Sequence, residues 1–198
     1  MIISHDRKLL FVHIQKTGGM SLQQILLRQI PDATPWHDHH SDIRLAEAEL
    51  GEDLADYYTF AFVRNPWDRM VSWYSRVQQK VHVARAIVRD AIVDVPFRKF
   101  VRQHIEKKPH PIIAKPQVDY LVGARGQQLV MDIYRFEQFE EECRRLCDRI
   151  GLDASQIPHK NSSKHEHYST FYDAETKQIV AERFAADCKA FGYTFSEQ

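Results

Sequence analysis

Long apolar runs are missing from this chain. Nothing in it approaches the roughly eighteen consecutive apolar residues that a membrane-spanning helix requires. The opening stretch MIISHDRKLLFVHI has no extended apolar core and no small-residue cleavage site. Neither a membrane anchor nor a signal peptide is expected, and the cytoplasm is the expected compartment. Net charge is missing too: lysine plus arginine and aspartate plus glutamate both number 27. A general polyanion binder carries a basic excess, so nucleic acid is not expected as the main partner. Local basic sites stay open, because a zero sum says nothing about distribution. Cysteine is scarce, with only Cys143, Cys147 and Cys188 and no CxxC pair. An odd, unpaired set agrees with a reducing compartment, and Cys143 and Cys147, four apart in a helical pattern, read as packing thiols. Repeats, low-complexity tracts and linkers are absent as well. What is present, 43% hydrophobic and 27% charged residues, describes an ordinary globular chain of one domain.

Periodicity divides the chain into alternating strands and helices. Residues 9–14, LLFVHI, are a short apolar run with β-branched and aromatic members, expected as a buried strand. Leu22, Ile25, Leu26 and Ile30 then recur at helical spacing until Pro31. PDATPWHDHHS at 31–41 reads as loop, and IRLAEAELGEDLADY as helix interrupted by Gly51. YTFAFV at 58–63 is the second strand. Asn65-Pro66-Trp67-Asp68 has the order of a helix start, with an N-cap asparagine, proline in the first turn and an acid after it. Its stripe Trp67, Met70, Val71, Tyr74, Val77 faces a core. Residues 81–108 are expected as one or two helices split by Pro96, and 109–118 as a proline-rich surface crossing. LVMDIYRF at 129–136 is the third strand, followed by a helix ended by Gly151. Residues 158–168 read as polar loop and 173–191 as a terminal helix. Such alternation implies a central parallel sheet covered by helices on both faces. Ligands of such folds sit beyond the carboxyl ends of the strands.

Two strand ends carry suggestive residues. Gln15-Lys16-Thr17-Gly18-Gly19-Met20-Ser21 has the parts of an anion cradle. Glycines let successive N–H groups turn inward, a helix start adds its positive dipole end, Lys16 adds charge, and Thr17 and Ser21 add hydroxyls. A glycine-containing turn with a surface lysine is the plainer alternative. A nucleotide-hydrolase loop requires its lysine after the glycines; here it precedes them, which disfavours an ATPase or kinase. Arg64 directly follows the second strand and Ser72 lies eight positions later, suited to a second phosphate. Pairing of Arg64 with a nearby acid is the alternative.

HIQKTGGMS together with FAFVRNPWDRMVSWY resembles the sulfotransferases, especially the branch of bacterial and carbohydrate (heparan and chondroitin) O-sulfotransferases. The likeness runs on through DYLVG, RFEQF, IPHKNSSKHEHY and the FGYTF ending. It implies a P-loop-like three-layer α/β fold, with residues 1–198 as one sulfotransferase domain. It also implies the donor 3′-phosphoadenosine 5′-phosphosulfate (PAPS), with no metal. The KTGG-type loop, Lys16 to Ser21, would hold the 5′-phosphosulfate, and the RNPxxRxxS segment, with Arg64 and Ser72, the 3′-phosphate. Asn161, Ser163 and Lys164 fall in a stretch like the family's third donor-contacting region, though a surface turn reads equally well there. Met20 departs from the family, which more often has Thr or Ser; the backbone cradle survives the change. Arg69 has the spacing either for the donor or for a helix-surface ion pair.

Sulfuryl transfer requires a base for the acceptor hydroxyl and a cation for the leaving oxygen. A histidine suits the first task and Lys16 the second. The loop Trp36-His37-Asp38-His39-His40-Ser41-Asp42 offers three histidines between the donor motifs. In the related enzymes the base, a histidine or glutamate of this interval, is often followed by a small residue and then Thr, Ser or Asp. His40-Ser41-Asp42 fits best, His39 second, and a His37/His39 pair third. A metal site using these histidines, joined by His165 and His167, is an alternative, as are solvent-exposed histidines without a role. His13, inside the first strand, reads as a core residue. The resemblance implies a hydroxyl-bearing acceptor, expected to be a sugar or glycan. A module that binds adenosine bisphosphate or a sulfated glycan without turnover is the non-enzyme alternative, for which a base beside the donor would serve no purpose.

Overall fold

The computed structural model describes the backbone of residues 1–38, 40–87, 95–156 and 166–197, with the side chains of 80–87 left out of the description. These residues form two compact units, one of Met1–Arg64 with Gln117–Asn161, the other of Asn65–Pro116 with Ser162–Gln198.

The first unit contains a five-stranded sheet. Its strands are β1 (Ile2–Ser4), β2 (Leu9–Val12), β3 (Thr34–Pro35), β4 (Tyr58–Val63) and β5 (Asp132–Arg135), in spatial order β3-β1-β2-β4-β5. The centre is parallel as expected: Phe11 of β2 lies opposite Phe60 of β4, and Phe62 opposite Tyr134 of β5. The expected strands shorten to their sheet-paired cores, and two short strands extend the sheet. β1 pairs antiparallel with β2, and β3 with β1. Both added strands, β1 and β3, are too short for their periodicity to show in the sequence.

Side chains alternate across the sheet. Leu9, Phe11, Phe60, Phe62 and Tyr134 join one core with Leu22, Ile25 and Leu26 of helix α1 (Gly19–Gln29) and with Cys143, Leu146 and Cys147 of helix α5 (Phe139–Ile150). Leu10, Val12, Ala61 and Val63, on the other face, are buried too. Burial raises the Cys143 thiol to about 12 and the Cys147 thiol in the same direction, so both pack as neutral apolar groups. At the amino ends of β4 and β5, the Tyr58 hydroxyl donates to Asp132 at 2.6 Å, and the Tyr134 hydroxyl lies 2.8 Å from that of Tyr58. Burial, then the Asp132 contact, holds the Tyr58 phenol protonated as a donor. Helix α2 (Ile43–Leu50) runs into a 3₁₀ turn, Gly51–Asp56, at the expected glycine.

The second unit is helical: α3 (Pro66–Ile87), α4 (Phe97–Val101) continued by a π-helical turn, α6 (Ala174–Arg183) and α7 (Ala185–Phe191). The Asn65 side chain accepts from the Trp67 N–H at 3.0 Å, the expected cap of α3. The stripe Trp67, Met70, Val71, Tyr74 and Val77 packs with Phe97, Phe100, Val180 and Phe184. The expected terminal helix 173–191 breaks at Phe184. Arg69 is no surface residue. It is fully buried and donates to the Lys115 carbonyl at 3.1 Å, so the helix-surface ion pair is corrected to an internal tie.

Helix α6 starts with a capping box, in which Asp173 accepts from the Thr176 N–H at 2.8 Å. Asp173→Ala is expected to lower stability by about 1 kcal/mol in urea unfolding. The Thr176 hydrogen bonds hold the Asp173 carboxyl below its ordinary 3.8. Its contribution is therefore fully present above pH 3.8 and fades as pH falls through the lowered folded-state value. An unfolding midpoint unchanged by the substitution counts against the cap.

Candidate active site

The cradle segment leaves β2 and turns within a few residues into α1. Lys16 and Gly18 both take left-handed φ, 69° and 80°. For Gly18 this is easy. A side chain there would also meet the Phe139 ring at 2.6 Å and the Phe136 ring at 3.0 Å. For Lys16 the conformation costs about 1–3 kcal/mol and requires neighbours that hold it. One is Arg64, at the tip of β4, whose Nη1 donates to the Lys16 carbonyl at 3.1 Å. The two strand ends singled out in the sequence are thus joined directly. Arg64 also lies 4.2 Å from the centre of the Phe136 ring.

Gln117 holds Arg64 in turn. Its Oε1 accepts from the Arg64 N–H at 2.9 Å and its Nε2 donates to the Arg64 carbonyl at 2.8 Å, and it is fully buried. Tyr120 donates to the side chain of Gln15 at 2.7 Å. These supporting residues escaped the sequence reading. The only signal was their place in or beside the stretch DYLVG, which carries no chemistry of its own.

The Thr17 hydroxyl donates to the Ile14 carbonyl at 2.9 Å and is fully buried, so its proton shapes the loop. Ser21 is buried, and its N–H closes onto the Gly18 carbonyl at 3.0 Å. Met20 is 58% exposed at the start of the helix. The first turn of α1 holds no acidic residue and no side-chain cap. A helix start with Lys16 and Arg64 beside it and no acid in its first turn suits an anion.

The second glycine has a separate reason. A Cβ on Gly19 would lie 2.0 Å from the His13 ring. His13, 3% exposed, stacks on Phe11 at 5.6 Å and meets His40 edge-on, ring centres 4.7 Å apart. His40 Nδ1 lies 3.2 Å from the His13 carbonyl. A carbonyl can only accept, so a hydrogen bond here places a proton on Nδ1, and in the neutral ring the lone pair then falls on Nε2.

The remaining candidates are placed differently. His37 Nε2 pairs with Glu49 of α2 at 2.9 Å, and its ring packs on Trp36. Ser72 belongs to the second unit, on α3. His39, Asn161, Ser163 and Lys164 lie outside the described residues, as does His165. Among the described residues no group of three or more His, Cys, Asp or Glu comes together to hold a metal. Among them, too, no helix is long and apolar enough to cross a membrane.

A family model described as "Sulfotransferase family" matches residues 1–194. The chain belongs to the sulfotransferase family. A comparison with curated proteins finds no significant match. The chemistry of this sulfotransferase is therefore transfer of a sulfuryl group, and the mixed α/β sheet flanked by helices agrees with a P-loop-like fold for it.

Proposed function

We propose that this sulfotransferase moves the sulfuryl group of PAPS to a hydroxyl of a carbohydrate, with His40 as base and Lys16 as leaving-group cation. The observation that carries the reading is the placement of His40. Its Nδ1–H is anchored on the carbonyl of His13, three residues before Lys16, at the end of the strand that enters the cradle. The donor supplies an activated sulfur whose bridging oxygen takes up charge when it leaves. His40 Nε2 takes the proton as the acceptor oxygen bonds to sulfur. The sulfur–oxygen bond to phosphate breaks, and its electron pair leaves with adenosine 3′,5′-bisphosphate, balanced by Lys16. The same electrostatic logic serves phosphoryl transfer.

Backbone groups of Thr17 to Ser21 are proposed to cradle the 5′-phosphosulfate, and Arg64 to hold the 3′-phosphate. Ser72, Asn161, Ser163 and Lys164 join the donor set on the resemblance alone. The family match spans residues of both units, which supports reading 1–198 as one sulfotransferase domain. Zero net charge and a base poised for a neutral hydroxyl favour a sugar acceptor over nucleic acid. A cytoplasmic location completes the proposal.

The test is incubation with PAPS and a panel of glycans and other hydroxyl compounds, read by mass spectrometry. A sulfated glycan product is expected, and sulfation confined to non-carbohydrate acceptors overturns the acceptor class. The donor set has its own measurement. Calorimetry should show adenosine 3′,5′-bisphosphate binding without added metal. Arg64→Ala should weaken it about tenfold or more, since one charge-assisted hydrogen bond contributes roughly 1.5–3 kcal/mol. Equal affinities for adenosine and the bisphosphate would sink the two-phosphate arrangement.

A further inference from the structure

His13 does more than fill the core. It is enclosed on three sides: the Phe11 ring stacks at 5.6 Å with an 18° interplanar angle, the first residue of α1 abuts one flank, and His40 meets it at 4.7 Å and 62°. The flank against α1 is so close that only a glycine fits at position 19. The main chain of the same residue receives Nδ1–H of His40. One residue thus touches both the helix start of the anion cradle and the imidazole beyond it.

We infer that His13 is a positioning residue for His40. Its ring is a wedge that sets the distance of His40 from the start of α1, and its carbonyl selects the tautomer of His40. This rests on the reading of His40 as base. The ring fixes where Nε2 stands, and the carbonyl fixes that Nε2, not Nδ1, carries the lone pair. In an unconstrained histidine side chain the Nε2–H tautomer is the commoner one, so a base acting through Nε2 is favoured by an acceptor for Nδ1–H. That acceptor lies one residue past the end of β2, on a residue that is itself buried and stacked on Phe11. The wedge acts by shape, and a flat apolar ring can replace it. Proton transfer depends steeply on geometry, and a displacement of about 1 Å can cost up to about a hundredfold in rate.

The experiment combines long-range ¹H–¹⁵N spectra of histidine with steady-state kinetics. In the wild-type protein His40 is expected as the Nδ1–H tautomer. An Nε2–H tautomer there overturns the inference without any variant being made. In His13→Ala, kcat should fall about tenfold or more, and the rising, acid-side limb of the pH profile should shift. Affinity for adenosine 3′,5′-bisphosphate should stay within about twofold, and the His40 spectrum should show a mixture of tautomers, because without the wedge the ring drifts from a carbonyl that the substitution leaves in place. His13→Phe should recover most of kcat. A His13→Ala enzyme with wild-type kcat overturns the positioning role. So does one whose kcat falls only in step with lost bisphosphate affinity, because that marks a collapsed cradle. The base assignment fails separately: a kcat indifferent to His40→Ala removes His40 from the chemistry, whereas the wild-type tautomer reports on His13 irrespective of turnover.

Discussion

His40→Ala is expected to lower kcat by roughly 10²–10⁴-fold, the usual contribution of a general base. Bisphosphate binding should remain nearly intact, because the proposed base would contact the acceptor, whereas Lys16 and Arg64 are the proposed donor contacts. The rate of the wild-type enzyme should rise with pH through the histidine range, since only the neutral imidazole accepts a proton, and that limb should vanish in the variant. His37→Ala is the control on the same loop. His37 is already engaged by Glu49 at 2.9 Å and packed on Trp36, so its loss should cost far less. A large loss in His37→Ala with a small one in His40→Ala would transfer the role along the loop. A large loss in His39→Ala alone would move it by one residue. If none of the three matters, the base lies elsewhere and the mechanism is wrong.

Gly19→Ala carries the second large effect, on stability. The φ of Gly19 lies outside the left-handed region, so the backbone itself would accept alanine. The obstacle is the His13 ring, 2.0 Å from the new methyl carbon. His13 has no room to retreat, being buried against Phe11 and His40. Overpacking of this kind costs roughly 1–3 kcal/mol or more. At the upper end that is more than a hundredfold in the folding equilibrium. Urea unfolding should show it as a lower midpoint with an unchanged slope. The decisive comparison is the double variant. Removing the ring in His13→Ala makes space for the methyl group, so His13→Ala/Gly19→Ala should be more stable than the sum of the single losses predicts, by about 0.5–3 kcal/mol. Strict additivity would mean that the glycine is required for some other reason.

The cradle illustrates how two adjacent glycines serve different ends. Both were legible as turn residues, and the sequence assigned both to the ligand. In the structure Gly18 is required by its left-handed φ and by the Phe139 ring, and Gly19 by His13. His13 stands only six residues before Gly19, inside the quoted motif, yet nothing in the motif shows that its ring packs there. Phe139 lies on α5, beyond the whole sheet. Thr17 was assigned a ligand hydroxyl, yet its proton goes to the Ile14 carbonyl inside the turn. A hydroxyl beside a chain reversal has a backbone acceptor within reach, and local closure competes with any external ligand.

By itself the sequence determined the strands β2 and β4, the helices α1, α3 and α5, the cap at Asn65 and the paired motifs that resemble the sulfotransferases. Each of these is written in neighbours a few residues apart, where apolar period, capping chemistry and turn residues act locally. Tertiary structure alone decided the antiparallel strands β1 and β3, the burial of Arg69, and the tie of Arg64 to Lys16, 48 residues apart. It also decided the clamp of Gln117 on Arg64, 53 residues apart, and the anchoring of His40 on His13, 27 residues apart. The reason is physical: such contacts exist only after loop closure brings distant segments together, as at the carboxyl ends of the central strands β2 and β4. No local preference of Arg64, Gln117 or His13 points to the partner that it meets there.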